Sequence, residues 1–389
     1  MEPGKGYFVW PGDNVGTLVP PYPENKAPVL VIDVSPLSAN VSEEITVNTS
    51  GTYDEPSSVL LRIDCDWGDG TVETQWFQPS YAPAPIFAHS YTKGGIYTIT
   101  VVATDIYGAV DMQEATVTIY PLSSNTIYVP DDYEKIQWAV DNASAGDTII
   151  VRDGTYTENV DVNIDNLTIQ SENGSENCIV QAANSNDYVF DVMADYVNIC
   201  GLTIEGATEL ENAGFYLHAN KGCYIINNTV SNNYYGIWLL YSSNNTLTNN
   251  TAHSNIRAGI HLLYSSSNML ANNTAWNNKW WGIRLWNSDE NILTSNIMRG
   301  NWYNFDIESR DQKHSEYIQN IDTSNLVDGK PIYYWVNQRD KQIPSDAGFV
   351  GIVDCINIST KNVTLMNNFQ GVLLSFSRNC LIENRLVAN

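Results

Sequence analysis

The chain has 389 residues, of which 43% are hydrophobic; that is enough for two domains with packed cores and excludes a wholly disordered polymer. Nineteen Lys and Arg against 44 Asp and Glu leave a formal charge of −25, which excludes a nucleic-acid binder, since phosphate contacts need a basic surface. No run of 18 apolar residues occurs, so no transmembrane segment is predicted, and Met1-Glu-Pro-Gly-Lys5 does not read as a signal peptide.

Residues 1–26 carry Pro3, Pro11, Pro20, Pro21 and Pro23 without hydrophobic periodicity, and read as an extended arm or linker. Residues 27–120 alternate apolar and polar positions, as in Tyr97-Thr-Ile-Thr-Val-Val-Ala-Thr-Asp105, between turn signals such as Gly68-Asp-Gly70 and Lys93-Gly-Gly95. This pattern predicts an antiparallel β-sandwich. Three phrases in it, Asp66-Trp-Gly-Asp-Gly-Thr71, His89-Ser-Tyr91 and Tyr97 through Asp105, resemble the PKD domain in order and spacing. Trp67 is expected to anchor the core, with Gly68 and Gly70 permitting the turn beside it. The resemblance implies a possible Ca²⁺ site on Asp64, Asp66, Asp69 and Asp105, whose oxygens suit that ion. The alternative is that Asp66 and Asp69 hydrogen-bond the turn backbone.

After a short linker at residues 121–126, Asp131-Asp-Tyr-Glu134 offers a capping box for a helix that places Tyr133, Ile136 and Val140 on one face. Ala145-Gly146 should end it, and Asp147 through Tyr156 reads as a strand and a turn. The phrase from Ile136 through Tyr156 resembles the N-terminal cap of right-handed β-helix proteins of the pectin-lyase-like superfamily. An open β-helix end exposes unpaired backbone and a bare core, and an amphipathic helix covers both.

From Asn159 the chain repeats. Gly214-Phe-Tyr-Leu-His218, Gly236-Ile-Trp-Leu-Leu-Tyr241, Gly259-Ile-His-Leu-Leu-Tyr264 and Gly282-Ile-Arg-Leu-Trp286 recur every 22–23 residues, separated by asparagine-rich turns. A fixed short period with β-rich content predicts the coils of a parallel β-helix. Residues 317–350 break the pattern, which resumes at Gly351 and Gly371. Residues 121–389 are therefore expected to form a capped, right-handed, single-stranded parallel β-helix, an all-β molecule together with the Ig-like sandwich. The repeats resemble NosD-type β-helix domains, in particular those of archaeal cell-surface proteins that also carry PKD domains. That resemblance implies a secreted or surface protein and says little about chemistry.

Strand alternation turns the aliphatic residues one and three after each glycine inward. The position two after the glycine should then face solvent, reading Tyr216, Trp238, His261, Arg284 and Asp306, with Trp286 and Glu308 beside it and Trp280 just before the glycine. An exposed aromatic wall marks a binding surface, so Tyr216, Trp238, His261, Trp280, Arg284 and Trp286 are candidate ligands for a polysaccharide, with indole and phenol rings stacking on sugars and polar groups hydrogen-bonding them. Two other readings are aromatic laddering without a ligand, and a wall covered by residues 317–350. An enzyme reading, a polysaccharide lyase or hydrolase, would use Asp306, Glu308, Arg284 and His261 as catalytic candidates. Copper lacks support, because the five histidines and six methionines show no ligand spacing.

Cys178, Cys200 and Cys223 share the repeat period, yet aligning the strands places Cys200 over Ile226 rather than Cys223, so free thiols are expected. Asn-X-Ser/Thr sequons at Asn40, Asn48, Asn142, Asn166, Asn173, Asn227, Asn244, Asn249, Asn272, Asn357 and Asn362 are compatible with a glycoprotein, although Asn and Thr are also the ordinary residues of such turns. The expected work is non-catalytic, either glycan binding or a structural role among other cell-envelope proteins, with an extracellular location. Pairing through the C-terminal edge, where Leu386-Val-Ala-Asn389 falls mid-repeat, is a further alternative.

Overall fold

The structure, a computed structural model, describes residues 25–55, 60–79, 83–121, 124–383 and 386–388; apart from Asn25 and Lys26, the expected arm lies outside them. The chain divides into two compact units, Met1–Leu122 and Ser123–Asn389.

The first unit is an Ig-like sandwich. Asp33–Ser35, Glu44–Asn48 and Ile86–Ser90 form one sheet, and Ser38–Asn40, Val110–Tyr120, Gly95–Asp105, Leu61–Asp66 and Val72–Phe77 form the other. Alternate residues of each strand, such as Ile45 and Val47, Leu61, Ile63 and Cys65, or Ile99, Val101 and Ala103, are fully buried between the sheets. Trp67 is buried at the corner: its indole donates to Glu73 (3.0 Å), its carbonyl accepts from the Tyr91 hydroxyl (2.8 Å), and His89 stacks on its ring. Gly68 sits at φ +77°, and a Cβ there would lie 2.5 Å from the Thr98 carbonyl oxygen, so both conformation and space require glycine.

The second unit is a β-solenoid of about 11 turns. Among the described residues its faces are a nine-stranded sheet running from Thr126–Val129 to Asn320–Ile321, an eleven-stranded sheet from Gly154–Thr157 to Leu373–Ser375, and a seven-stranded sheet from Val160–Val162 to Tyr303–Glu308. Consecutive turns stack in parallel register, Ile237 on Ile260 and then on Ile283, and the residues on the inner side form one continuous core. The first strand, Thr126–Val129, begins at the last residue of the expected linker. The helix Ile136–Asn142 follows it and buries Ile136, Ala139 and Val140 against the core. Its cap is not the expected capping box. The Glu158 carboxylate accepts from the backbone N–H of Ile136 (3.0 Å) and Gln137 (3.1 Å), while Asp131 pairs with Arg152. A carboxylate at the helix N-terminus supplies the same donors' partner from a distant turn.

The repeated glycines have a spatial reason. A Cβ on Gly236 would lie 2.4 Å from the Gly259 carbonyl oxygen and 2.8 Å from the Asn255 amide; on Gly282, 2.5 Å from the Asn304 oxygen and 2.7 Å from the Asn301 amide. Those amides belong to internal ladders. Asn228, Asn250, Asn273, Asn296 and Asn325 form one; Asn233, Asn255, Asn278 and Asn301 form a second; Asn245, Asn268 and Asn291 form a third, headed by the Cys223 N–H. In each, an Asn side-chain oxygen accepts the backbone N–H of the Asn one turn earlier, and its amide donates to a carbonyl of that earlier turn, as Asn250 does to Ile225 (2.7 Å). The residue before a ladder member, such as Asn227, Asn249 or Asn272, is exposed and sits near φ +55°, the left-handed conformation Asn tolerates.

Residues 317–350 do not fold over the outer wall. They carry a hairpin, Leu326–Val327 against Lys330–Val336, and then further turns stacked on a second core around Val350, Ile352 and Leu365. Cys200 pairs opposite Ile226, and all six cysteines are free thiols.

Candidate functional site

The outward column of the seven-stranded face runs in register through Asp161, Asp191, Tyr216, Trp238, His261, Arg284 and Asp306. The structure corrects the expectation that its aromatic stretch faces solvent. Tyr216 and Trp238 retain 8% of their exposure, Arg284 7%, His261 2% and Asp306 none. The cause is the size of the flanking side chains. Tyr188 stacks on Tyr216 (4.1 Å between centroids), Tyr235 stacks on His261 (5.3 Å), and Trp286 closes the other side of His261 (6.3 Å). Tyr235, Leu240 and Leu263 pack on the Tyr216–Trp238 pair. Large side chains on neighbouring strands bury one another even on an outer face. The column is a sheath of aromatic rings; among the described residues the indole nitrogens of Trp238, Trp281 and Trp286 and the His261 Nδ1 are buried without a partner.

Three of the four catalytic candidates converge. The Arg284 guanidinium donates to Asp306 (2.9 Å) and to Glu308, and lies 4.2 Å from the Trp281 ring and 4.3 Å from that of Trp286. Asp306 also accepts from the Gln370 amide (2.7 Å). Residues 367–370 close this end: Asn304 N–H donates to the Asn367 carbonyl, and Phe369 packs edge-on to Tyr303. Burial pushes the Asp306 carboxyl up to about 7 against the pull of Arg284 and Gln370. Burial, helped by Arg284 and Arg257, holds His261 well below the usual imidazole range, so it is neutral. The arrangement can pack and pair; a reacting sugar would find both carboxylates engaged and Asp306 closed to solvent.

Trp280 is different. It stands at the corner leading into the Gly-led strand, 41% exposed, and Trp302 occupies the same corner one turn later, 63% exposed. Their rings stack at 6.0 Å with an interplanar angle of 29°. Arg257, one turn earlier, places its guanidinium 5.1 Å from the Trp280 ring and 4.5 Å from that of Trp281. A shallow hollow of about 600 Å³ lies here, lined by Asn278, Lys279, Trp280, Gly300, Asn301 and Trp302. Trp302, Arg257 and Lys279 were not among the sequence candidates. They lie at a bend, where strand alternation gives no inward or outward assignment; two adjacent turns each placing a Trp ahead of the strand were the available signal.

In the sandwich, the four aspartates have separate partners. Asp64 accepts from Thr74 and Arg62, Asp66 from Gly68 N–H, Asp69 from Thr71 N–H and His89, and Asp105 from Asn25 and the N–H groups of Tyr107 and Ala109. The turn-bonding alternative accounts for Asp66 and Asp69.

The chain matches the family model described as periplasmic copper-binding protein (NosD) over residues 140–342, and the PKD domain model over residues 25–119. It is 39% identical over 111 residues to a cell surface glycoprotein of Methanothermus fervidus; the matched stretch is 28% of this chain and 17% of that protein. Among solved structures it is similar to the A-module of a mannuronan C-5 epimerase of Azotobacter vinelandii (15% identity, 67% of this chain, 92% of the other, TM-score 0.43) and to the PKD1 domain of Vibrio anguillarum Epp (22% identity, 25% of this chain, 100% of the other, TM-score 0.20). The residues present do not fit copper. Such a centre needs imidazole or sulfur ligands converging on one point, whereas His218 stacks on Tyr216, His253 on Trp276 and His261 on Tyr235. Among the described residues no three His, Cys, Asp or Glu side chains converge.

Proposed function

We propose that this chain, which belongs to the NosD family, is a non-catalytic module of the cell surface whose solenoid binds glycan at the Trp280–Trp302 corner. The surface location is supported by the pairing of PKD and NosD domains and by the relative that is a cell surface glycoprotein. No helix among the described residues is long and apolar enough to cross a membrane.

The observation that carries the binding reading is the contrast between two sets of aromatic side chains on one solenoid. The rings of the outward column are covered, whereas Trp280 and Trp302 stack in solvent. Indoles left 41% and 63% exposed forfeit part of the about 1.5–3 kcal/mol that full burial of a large apolar side chain gives, and a stacked pair on adjacent turns offers a flat platform for the C–H faces of successive sugars. The test is a glycan array with the single variants Trp280→Ala and Trp302→Ala. Each is expected to lower affinity at least about tenfold, a loss of about 1.4 kcal/mol, with the melting temperature unchanged; Trp238→Ala should instead lower the melting temperature. Binding that ignores both exposed tryptophans overturns the reading. Release of reducing ends or unsaturated sugars by the wild-type chain would overturn its non-catalytic part.

A further inference from the structure

We infer that the glycan taken by this corner is a uronate-bearing polysaccharide, recognised through its carboxylates; the inference rests on the glycan reading above and names its ligand class. The first observation is a gap in the charge pattern. The chain carries 44 acidic residues, yet residues 212–288 contain no aspartate or glutamate at all, while Lys221, Arg257, Lys279 and Arg284 all fall within that stretch. Arg284 is consumed by Asp306 and Glu308. Arg257 and Lys279 are not; they stand beside the exposed tryptophans, and the Arg257 Nε is buried without a partner among the described residues.

The second observation is what borders the corner. On the adjoining face the outward column reads Glu205, Ser231, His253, Trp276 and Arg299 in register, so it passes from an acid at one end to a cation at the other. Arg299 lies 5.5 Å from the Trp276 ring, one turn from Lys279. The bordering carboxylates are held by neutral donors rather than by these cations. Glu205 accepts from Gln181 and Asn232, and Asp328 accepts from Gly300 N–H, Asn304 and Asn367. Three cations on successive turns thus alternate with three tryptophans, Trp276, Trp280 and Trp302.

A chain of net charge −25 repels a polyanion over most of its surface. Only where cations stand free of carboxylates can an acidic polymer approach, and the two requirements, stacking surface and unpaired cations, coincide at this corner. Neutral sugars would leave the Arg257 guanidinium, held over the Trp280 and Trp281 rings, without a counter-charge. A carboxylate matches its planar fork with paired hydrogen bonds, and Lys279 supplies a point charge one turn away.

The test compares polygalacturonate, an uncharged β-1,4-galactan and dextran sulfate for binding to the full chain by calorimetry, with Arg257→Met, Lys279→Met, Arg299→Met and Trp280→Ala. Polygalacturonate is expected to bind at least tenfold tighter than galactan, to weaken as salt rises, and to lose about fivefold or more with Lys279→Met and Arg299→Met, whose exposed side chains leave folding intact. Galactan binding as tight as polygalacturonate overturns the uronate inference and leaves the glycan reading standing. Dextran sulfate binding equally well and indifferent to Trp280→Ala also overturns it, as attraction of charge alone. Absence of binding to any of the three, with a silent glycan array, removes both.

Discussion

Asn249 and Asn250 are identical neighbours with unrelated tasks. Asn249 is exposed at φ +57°, a corner where the side chain does little and the backbone conformation is everything. Asn250 points inward, accepts the Asn228 N–H (3.1 Å), and donates to the Ile225 carbonyl (2.7 Å) and to Asn273 (3.0 Å). Replacing a buried amide leaves its partners dehydrated and unpaired, at about 1–3 kcal/mol for each group. Asn250→Ala is therefore expected to cost roughly 3 kcal/mol or more, from its two backbone partners together, whereas Asn249→Gly should stay within about 0.5 kcal/mol. Urea unfolding of the two variants checks both; equal losses would mean that the ladder is not what holds these corners. The sequons sort by the same division, since Asn227, Asn249 and Asn272 are the outward members of their pairs.

At the level of the strand, the Gly-led face begins with a conflict. Asp161 and Asp191 lie side by side on adjacent parallel strands, and Asp191 Oδ1 is buried with no partner among the described residues. Burial, then the Asp161 charge, pushes the Asp191 carboxyl up to about 6. The folded state therefore holds a proton that the unfolded chain has released, so stability is full below the ordinary Asp range near 3.8 and is lost as pH rises through about 6. Asp191→Asn removes that loss: the variant should exceed the wild type by on the order of 1–3 kcal/mol at pH 8 and match it near pH 4. Denaturant midpoints at the two pH values decide it, and a gain of the same size at both would show that the titration is not the cause. Much of this face was legible beforehand. The inward Ile and Leu of each turn, the register that sets Cys200 against Ile226, and the need for a helical cap all follow from local pattern. The covered column did not, because its burial depends on the bulk of Tyr188, Tyr235 and Trp286 on neighbouring strands, and on residues 367–370 arriving from far along the chain. The helix cap was misassigned for the same kind of reason: Glu158 is nowhere near the helix in the local sequence.

For the whole molecule, a charge of −25 is a standing repulsion that packing must overcome. Salt at 0.15 M shortens the reach of that repulsion to about 8 Å, from about 30 Å at 0.01 M. The melting temperature is therefore expected to rise between those conditions, a trend that calorimetry reads directly; a fall would mean that attractive pairs such as Arg152 with Asp131 and Glu172 outweigh the surplus of acid. The asparagine ladders also give the solenoid a direction in time. Every ladder side chain reaches back to the turn before it and never forward for its own acceptor oxygen's task. During synthesis, then, each turn leaves the ribosome incomplete and is finished by the next one to emerge. The second and third ladders end where Asn304 and Gln319 supply the last acceptors with their own side chains, while the first runs on to Asn325.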